Sequence, residues 1–162
     1  AGVTFIGAGG AAHATAFHLA ALGVKSIRIA NRTVAKADEI AEKLRRLYPA
    51  LFVETARPDD SATLARWFAD TDFLIQATSL GLKAGDPAPF DLALLKPELK
   101  LCIFDTIYKP TPLLAKAREL RLPVADGTAM LIHQGAKSFE LWTGLSAPLD
   151  AMRRGFLEAQ PC

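Results

Sequence analysis

Short runs of apolar and β-branched residues alternate along the chain with segments whose apolar positions recur every three or four residues. Runs of the first kind, at 3–7, 26–31, 51–55, 72–77, 100–105 and 122–125, predict six strands. Segments of the second kind, at 11–22, 34–48, 61–69, 112–121, 127–143 and 148–159, predict six helices. Gly23 is a stop for the first helix and Pro49 for the second, where Ile40, Leu44 and Leu47 share one face. Asp59 and Asp60 supply acceptors for the open amides at the start of the third helix. Leu82 to Phe90, with Gly85, Pro87 and Pro89, reads as a loop. Strands alternating with helices predict an α/β domain: a three-layer, doubly wound parallel sheet followed by C-terminal helices.

Composition narrows the functional classes. The 162 residues are 51% hydrophobic and 22% charged, with 19 Lys and Arg against 17 Asp and Glu. A net charge of +2 gives no support to a nucleic-acid surface, which needs a basic stripe. The two cysteines, Cys102 and Cys162, have no CxxC partner or nearby His, so neither a disulfide scaffold nor a zinc site is expected. With no metal site, no membrane span and no signal segment in view, the expectation is a cytoplasmic protein. The chain starts inside an apolar run at Ala1-Gly2-Val3, which predicts a piece of a longer polypeptide.

Gly7-Ala8-Gly9-Gly10-Ala11-Ala12 fits G-x-G-x-x-A between the first strand and the first helix, the context in which that spacing binds a dinucleotide in a Rossmann-like sheet. Gly7 permits the tight turn, Gly9 lets the backbone approach a pyrophosphate, and Ala12 allows helix and strand to pack closely. Amides at the helix start then face the phosphate charge. NAD-binding domains place Asp or Glu at the end of the second strand to hold the adenosine ribose. Here Asn31 stands in that place, followed by Arg32, Thr33 and Lys36. A carboxylate would repel a 2′-phosphate, whereas these four residues form an anion pocket in which one charge contact near the surface is worth up to about 4 kcal/mol before desolvation. NADP is therefore the expected cofactor. The competing reading leaves Asn31 or Thr33 as a helix cap and Arg32 and Lys36 solvated.

Further stretches go beyond the glycine turn. Asn31-Arg32-Thr33-Val34-Ala35-Lys36, Ala77-Thr78-Ser79-Leu80-Gly81, Asp105-Thr106-Ile107-Tyr108, Thr111-Pro112-Leu113-Leu114 and Asp126-Gly127, running on through Met130, Leu131, Gln134, Gly135, Ala136, Phe139, Trp142, Thr143 and Gly144, together resemble the shikimate/quinate dehydrogenase family. The last block is the most specific, and it argues against other Rossmann reductases such as a glutamyl-tRNA reductase-type domain. The resemblance implies an NADP-binding domain over 1–127 and, over 128–162, helices that pack on a substrate domain preceding residue 1. It implies pyrophosphate contacts from Gly7, Ala8, Gly9, Gly10 and Ala11, and 2′-phosphate and adenine contacts from Asn31, Arg32, Thr33 and Lys36. Thr78 and Ser79 would lie beside the nicotinamide ribose, Thr106 and Gly127 would approach the nicotinamide through their backbones, and Tyr108 and Gln134 would reach a shikimate-like ring acid.

Each has a plainer alternative: Thr78 and Ser79 as turn residues, Tyr108 as a packed ring, Gln134 as a solvated amide. His13, His18 and His133 read as surface or satisfied residues, Trp142 as a packing anchor and Asp105 as an acceptor that orders a loop. Gln76 stands where the family usually has Asn, and the span from Tyr108 to Thr111 is short for the family. The implied reaction is NADP-dependent, reversible reduction of 3-dehydroshikimate to shikimate. The proton work falls to a Lys/Asp pair that the family carries in its preceding domain, so no catalytic residue is expected in this chain and turnover by it alone is not expected either. Quinate or aminoshikimate dehydrogenase activity, or NADP binding without catalysis, are the alternatives. The apolar faces of the last helices, including Met130, Leu131, Phe139 and Trp142, are expected to be left partly exposed or covered by another chain, a homodimer among the arrangements.

Overall fold

The computed structural model describes residues 1–83 and 85–159. Cys162 and one residue of the 82–90 loop therefore lie outside the described residues. The chain divides into two compact units, Ala1–Asp126 and a second beginning at Gly127.

In the first unit the strands are β1 (Gly2–Ile6), β2 (Ser26–Ala30), β3 (Phe52–Ala56), β4 (Phe73–Gln76), β5 (Cys102–Asp105) and β6 (Val124–Ala125). They form one parallel sheet in the order β3-β2-β1-β4-β5-β6. This is the doubly wound arrangement, with its reversal of strand order between β1 and β4. Helices α1 (Gly10–Ala21), α2 (Val34–Leu47), α3 (Ser61–Phe68) and α4 (Pro112–Glu119) cover it.

Alternation along the strands explains the layers. Val3, Phe5, Ile27, Ile29, Val53 and Ile75 pack with Ala12, Ala16 and Ala20 of α1 and Ala37, Ile40, Ala41 and Leu44 of α2. The opposite face packs Ile6, Ala30, Leu74 and Ile103 with Leu64, Trp67 and Phe68 of α3 and Leu113 and Ala117 of α4. The three alanines let α1 lie close to the sheet, directly behind the glycine turn.

Three local expectations change, and one short element is added. Leu47 is 58% exposed, because α2 ends there and the half-buried Tyr48 packs against the core instead. Asp60 caps α3 by accepting from the Thr63 amide at 3.1 Å, whereas Asp59 pairs with Arg57. The last strand keeps only two residues, since Pro123 lacks an N–H and Arg121 turns the chain with φ +59°. Between β4 and β5 a 3-10 turn, Leu92–Leu94, follows Asp91, whose carboxylate accepts from the Ala93 amide. Its leucines bury Leu95 and Phe90 beneath it without any helical period to announce them.

The second face also holds charge. Arg28, buried in mid-β2, donates to the Asp70 carboxylate at 2.6 Å and to the Asp70 carbonyl at 2.9 Å, and lies 3.7 Å from Glu54. Thr4 and Thr71 share a hydroxyl hydrogen bond at 2.7 Å, and Thr71 also donates to the Trp67 carbonyl. These contacts fasten the α3–β4 connection beneath the sheet.

In the second unit α5 (Thr128–Thr143) ends at Gly144, whose φ of +70° suits a left-handed cap, and α6 (Leu149–Glu158) follows. Ala136 is the only residue of α5 that is buried. Trp142 is 85% exposed, which departs from its reading as a packing anchor and agrees with the expectation that the apolar faces of these helices are left partly exposed; Leu141, Leu145 and Leu157 are exposed with it. Two helices alone offer too little apolar surface to enclose an indole. Among the described residues no helix is long and apolar enough to cross a membrane, and no group of three His, Cys, Asp or Glu is placed to hold a metal ion.

Two predictions follow from these contacts. Arg28 holds the Asp70 carboxyl below its ordinary range, first through the hydrogen bond and then through its charge. A depressed folded pKa gives stability that is present above the unfolded value of about 3.9 and is lost as pH falls through the folded value. Asp70→Asn is expected to remove that acid-side dependence, read from melting temperatures on either side of pH 4. The second concerns the glycine turn. Gly7 has φ +113°, and a Cβ there would lie 2.7 Å from the Ala77 carbonyl oxygen, whereas a Cβ on Gly10 meets nothing within 4 Å. Gly7→Ala should cost roughly 1–3 kcal/mol, and Gly10→Ala should cost nothing and gain up to about 1 kcal/mol, a contrast that a pair of melting curves measures.

Candidate dinucleotide site

The carboxyl ends of β1, β2, β4 and β5 meet at the reversal of strand order, where open parallel sheets bind ligands. After β1 the chain passes through Gly7, whose amide donates to the Ala30 carbonyl at 2.8 Å. Gly7 packs so tightly against Ala77 and the Thr78 methyl that only hydrogen fits. Gly9 caps α1 without a side-chain hydrogen bond, and Gly9, Gly10 and Ala11 are exposed. The nearest atom to a Cβ on Gly9 would be the Ala77 carbonyl oxygen at 3.9 Å. The first-turn amides of α1 thus face an opening bare of side chains, the shape and polarity that a pyrophosphate needs.

At the end of β2, Asn31 donates from its backbone to the Ala56 carbonyl and from its side chain to the Thr33 carbonyl at 2.7 Å. Thr33 is the cap residue of α2 but makes no side-chain cap bond. Arg32, Thr33 and Lys36 are all exposed. Arg32 and Lys36 thus flank the start of α2, where the Lys36 amide donates to the Thr33 carbonyl at 3.1 Å and the first turn carries no acidic residue. A residue without a sequence motif joins them: Arg57, just past β3, grips Asp59 with two hydrogen bonds of 2.9 and 2.8 Å and points Nη1 at the Arg32 carbonyl at 3.4 Å. Its hydrogen bonds, and after them its charge, hold the Asp59 carboxyl below the usual range. Only the parallel pairing of β2 and β3 puts residues 25 positions apart side by side.

At the end of β4, Thr78 is half-buried and Ser79 exposed, on a turn fastened from below by Gln76. The Gln76 side chain is fully buried, accepts from the Thr78 amide at 2.6 Å and donates to the Leu80 carbonyl at 2.9 Å. Asp86 accepts from the Gly81 and Lys83 amides, both at 3.0 Å, and these amides hold its carboxyl low.

At the end of β5, the Thr106 amide donates to the Gln76 carbonyl. Asp105 is buried and accepts from the Ile107 amide at 3.0 Å and from the Thr111 hydroxyl at 2.7 Å, while Thr111 accepts from the Leu114 amide to cap α4. Burial pushes the Asp105 carboxyl up, against the pull of those two bonds. It orders the loop that presents Tyr108, whose half-buried ring lies 5.6 Å from the Lys109 ammonium. The site residues from Gly7 to Tyr108 thus converge on one end of one sheet. Gly127 and Gln134 belong to the second unit, where Gln134 is exposed on α5. His13 stacks on Phe17 at 4.6 Å, and His18 and His133 are exposed.

Known proteins share this arrangement. Residues 1–81 match the model of the shikimate/quinate 5-dehydrogenase family, and residues 127–154 match that of the shikimate 5′-dehydrogenase C-terminal domain. A shikimate dehydrogenase (NADP(+)) of Methanopyrus kandleri is 37% identical over 155 residues, covering 94% of this chain and 53% of that protein. Among solved structures, the shikimate 5-dehydrogenase of Listeria monocytogenes in complex with shikimate and NAD superposes with a TM-score of 0.83 at 31% identity, over 96% of this chain and 55% of that one. The quinate dehydrogenase of Corynebacterium glutamicum in complex with NAD does so with a TM-score of 0.80 at 30% identity, over 97% and 55%. The chain spans about half the length of the relatives it matches. With a family model covering its first 81 residues, a second covering the start of its last helices, and the same fold in the solved relatives, this chain belongs to the shikimate/quinate dehydrogenase family.

Proposed function

We propose that the chain is the NADP-binding part of a shikimate dehydrogenase, an oxidoreductase that interconverts 3-dehydroshikimate and shikimate. The observation that carries this reading is the pairing of an open glycine turn after β1 with a carboxylate-free, cationic end of β2. The donor set fits the cofactor: the Cβ-free space at Gly9 admits a pyrophosphate, and Arg32 and Lys36 beside the α2 amides suit a 2′-phosphate. Bound NADP would supply the hydride chemistry.

The residues of the chain bind and orient. Gly7, Ala8, Gly9, Gly10 and Ala11 receive the pyrophosphate, and Asn31, Arg32, Thr33 and Lys36 receive the phosphorylated adenosine. Arg57 steadies the Arg32 backbone from β3. Thr78 and Ser79 line the nicotinamide ribose, Thr106 borders the nicotinamide, and Tyr108 directs a hydrogen bond to the ring acid; for Gly127 and Gln134, in the second unit, the family resemblance alone supports a role in binding. The buried carboxylate nearest this set, Asp105, is engaged by the Ile107 amide and the Thr111 hydroxyl and is not assigned as a proton donor. The proton step is assigned to residues outside this sequence, in line with its coverage of about half of its relatives.

Titration with NADP and NAD tests the cofactor. NADP should bind more tightly, and Arg32→Ala should remove most of the difference; equal affinities, or a preference for NAD, overturn the assignment. Gly9→Ala should keep the melting temperature and weaken both dinucleotides, since its added methyl meets no protein atom closer than 3.9 Å but intrudes on the phosphate approach. A second experiment mixes the 162-residue chain with NADP and either shikimate or quinate. No rise in NADPH absorbance is expected with either acid, and measurable turnover would place the proton donor within this chain.

A further inference from the structure

Gln76 is the last residue of β4 and the place where three candidate site segments are joined. Its carboxamide spans the turn that follows, with Oε1 accepting from the Thr78 amide at 2.6 Å and Nε2 donating to the Leu80 carbonyl at 2.9 Å. Its own carbonyl accepts from the Thr106 amide at 3.0 Å, which ties the end of β5 to the end of β4. The next residue, Ala77, donates to the Ile6 carbonyl at 2.8 Å and presses its own carbonyl against Gly7. The side chain is fully buried, so water cannot replace either bond, and losing a partner leaves a buried polar group unsatisfied. Within the same turn, the Thr78 hydroxyl accepts from the Leu80 amide at 3.1 Å. A hydroxyl used as an acceptor in this way still has its proton to donate.

A dinucleotide laid across the reversal of strand order has its pyrophosphate at the β1 turn and its adenosine at the end of β2, so its other half lies over the end of β4. From this placement we infer that Gln76 is a positioning residue for the nicotinamide half of the cofactor, acting through the turn that carries Thr78 and Ser79. The inference rests on the cofactor reading above. The carboxamide contacts no ligand itself. It sets where the Thr78 hydroxyl and the Ser79 backbone stand relative to Gly7.

The test uses two ligands that share the adenosine end. NADP spans the whole site, whereas adenosine 2′,5′-bisphosphate reaches only the glycine turn and the end of β2. Gln76→Glu keeps the size and the acceptor for the Thr78 amide but loses the donor to Leu80, and Gln76→Met loses both. Each variant should weaken NADP by roughly tenfold or more, Met more than Glu, and change adenosine 2′,5′-bisphosphate by less than about twofold. Equal losses for the two ligands would mean that Gln76 only holds the fold together, and no loss for either would mean that the turn keeps its place without it. Both results overturn the inference while leaving the cofactor reading intact. If the unmodified chain binds neither ligand, the cofactor reading fails and this inference falls with it. Deuterium exchange in the unmodified chain serves if the variants do not fold. The Thr78 amide should exchange far more slowly than that of Ser79, and comparable rates would overturn the hydrogen bond on which the role depends.

Discussion

The carboxyl ends of β1 and β4 approach so closely that the backbone of Gly7 lies against the carbonyl of Ala77 with no room for a side chain. This one contact sets the geometry of the site. It fixes the turn after β1 at a positive φ and lets α1 start with its amides directed outward. It also places Thr78 beside the turn that would hold the phosphates. The alanines of α1 serve the same constraint from behind, because a larger side chain at Ala12 or Ala16 would push the helix, and its amides, away from the sheet.

Around that contact the strand ends are fastened by polar groups. Gln76 spans the β4 turn, Asp105 and Thr111 order the β5 loop, and Arg57 with Asp59 braces the Arg32 backbone from β3. Their burial differs, and so does the strength with which each holds. Gln76, Asp105 and Thr111 are shielded from water, whereas Arg57 and Asp59 are exposed and their attraction is screened. The half of the site at β4 and β5 is therefore the more rigid, and the half at β2, where a phosphate and its counter-charges would meet, is the more adaptable. Loose cations suit a ligand charge that arrives with the ligand, since buried ones would need a partner beforehand.

The second unit follows a different logic. Its helices follow one another through a capped end of α5, where Gly144 takes the left-handed position and the Thr143 hydroxyl donates to the Phe139 carbonyl and accepts from the Leu145 amide. They nevertheless bury little of what they carry, and Leu141, Trp142, Leu145 and Leu157 stand in solvent. Local sequence sets where these helices stop, as Gly144 shows, but enclosing their apolar faces takes a partner surface that two helices do not supply to each other.

The alternation of six strands with six helices, the glycine turn and the cationic end of β2 were all legible in the residues alone, because each depends on spacing within a few positions. So was the role of Asp105 as a loop-ordering acceptor. The grip of Arg28 on Asp70, the bracing of Arg32 by Arg57 and the exposure of Leu47 were not. Arg28 and Asp70 are 42 residues apart, and nothing in either neighbourhood marks the other. Gln76 shows the boundary within one residue. Its sequence marks it only as a polar residue closing an apolar strand, whereas its burial between two sheet-end turns turns that amide into a fastening. Periodicity records which face of an element is apolar, a property of neighbours along the chain. Which polar group meets which depends on the strand order and on the distance between turns, and these exist only once the sheet has formed.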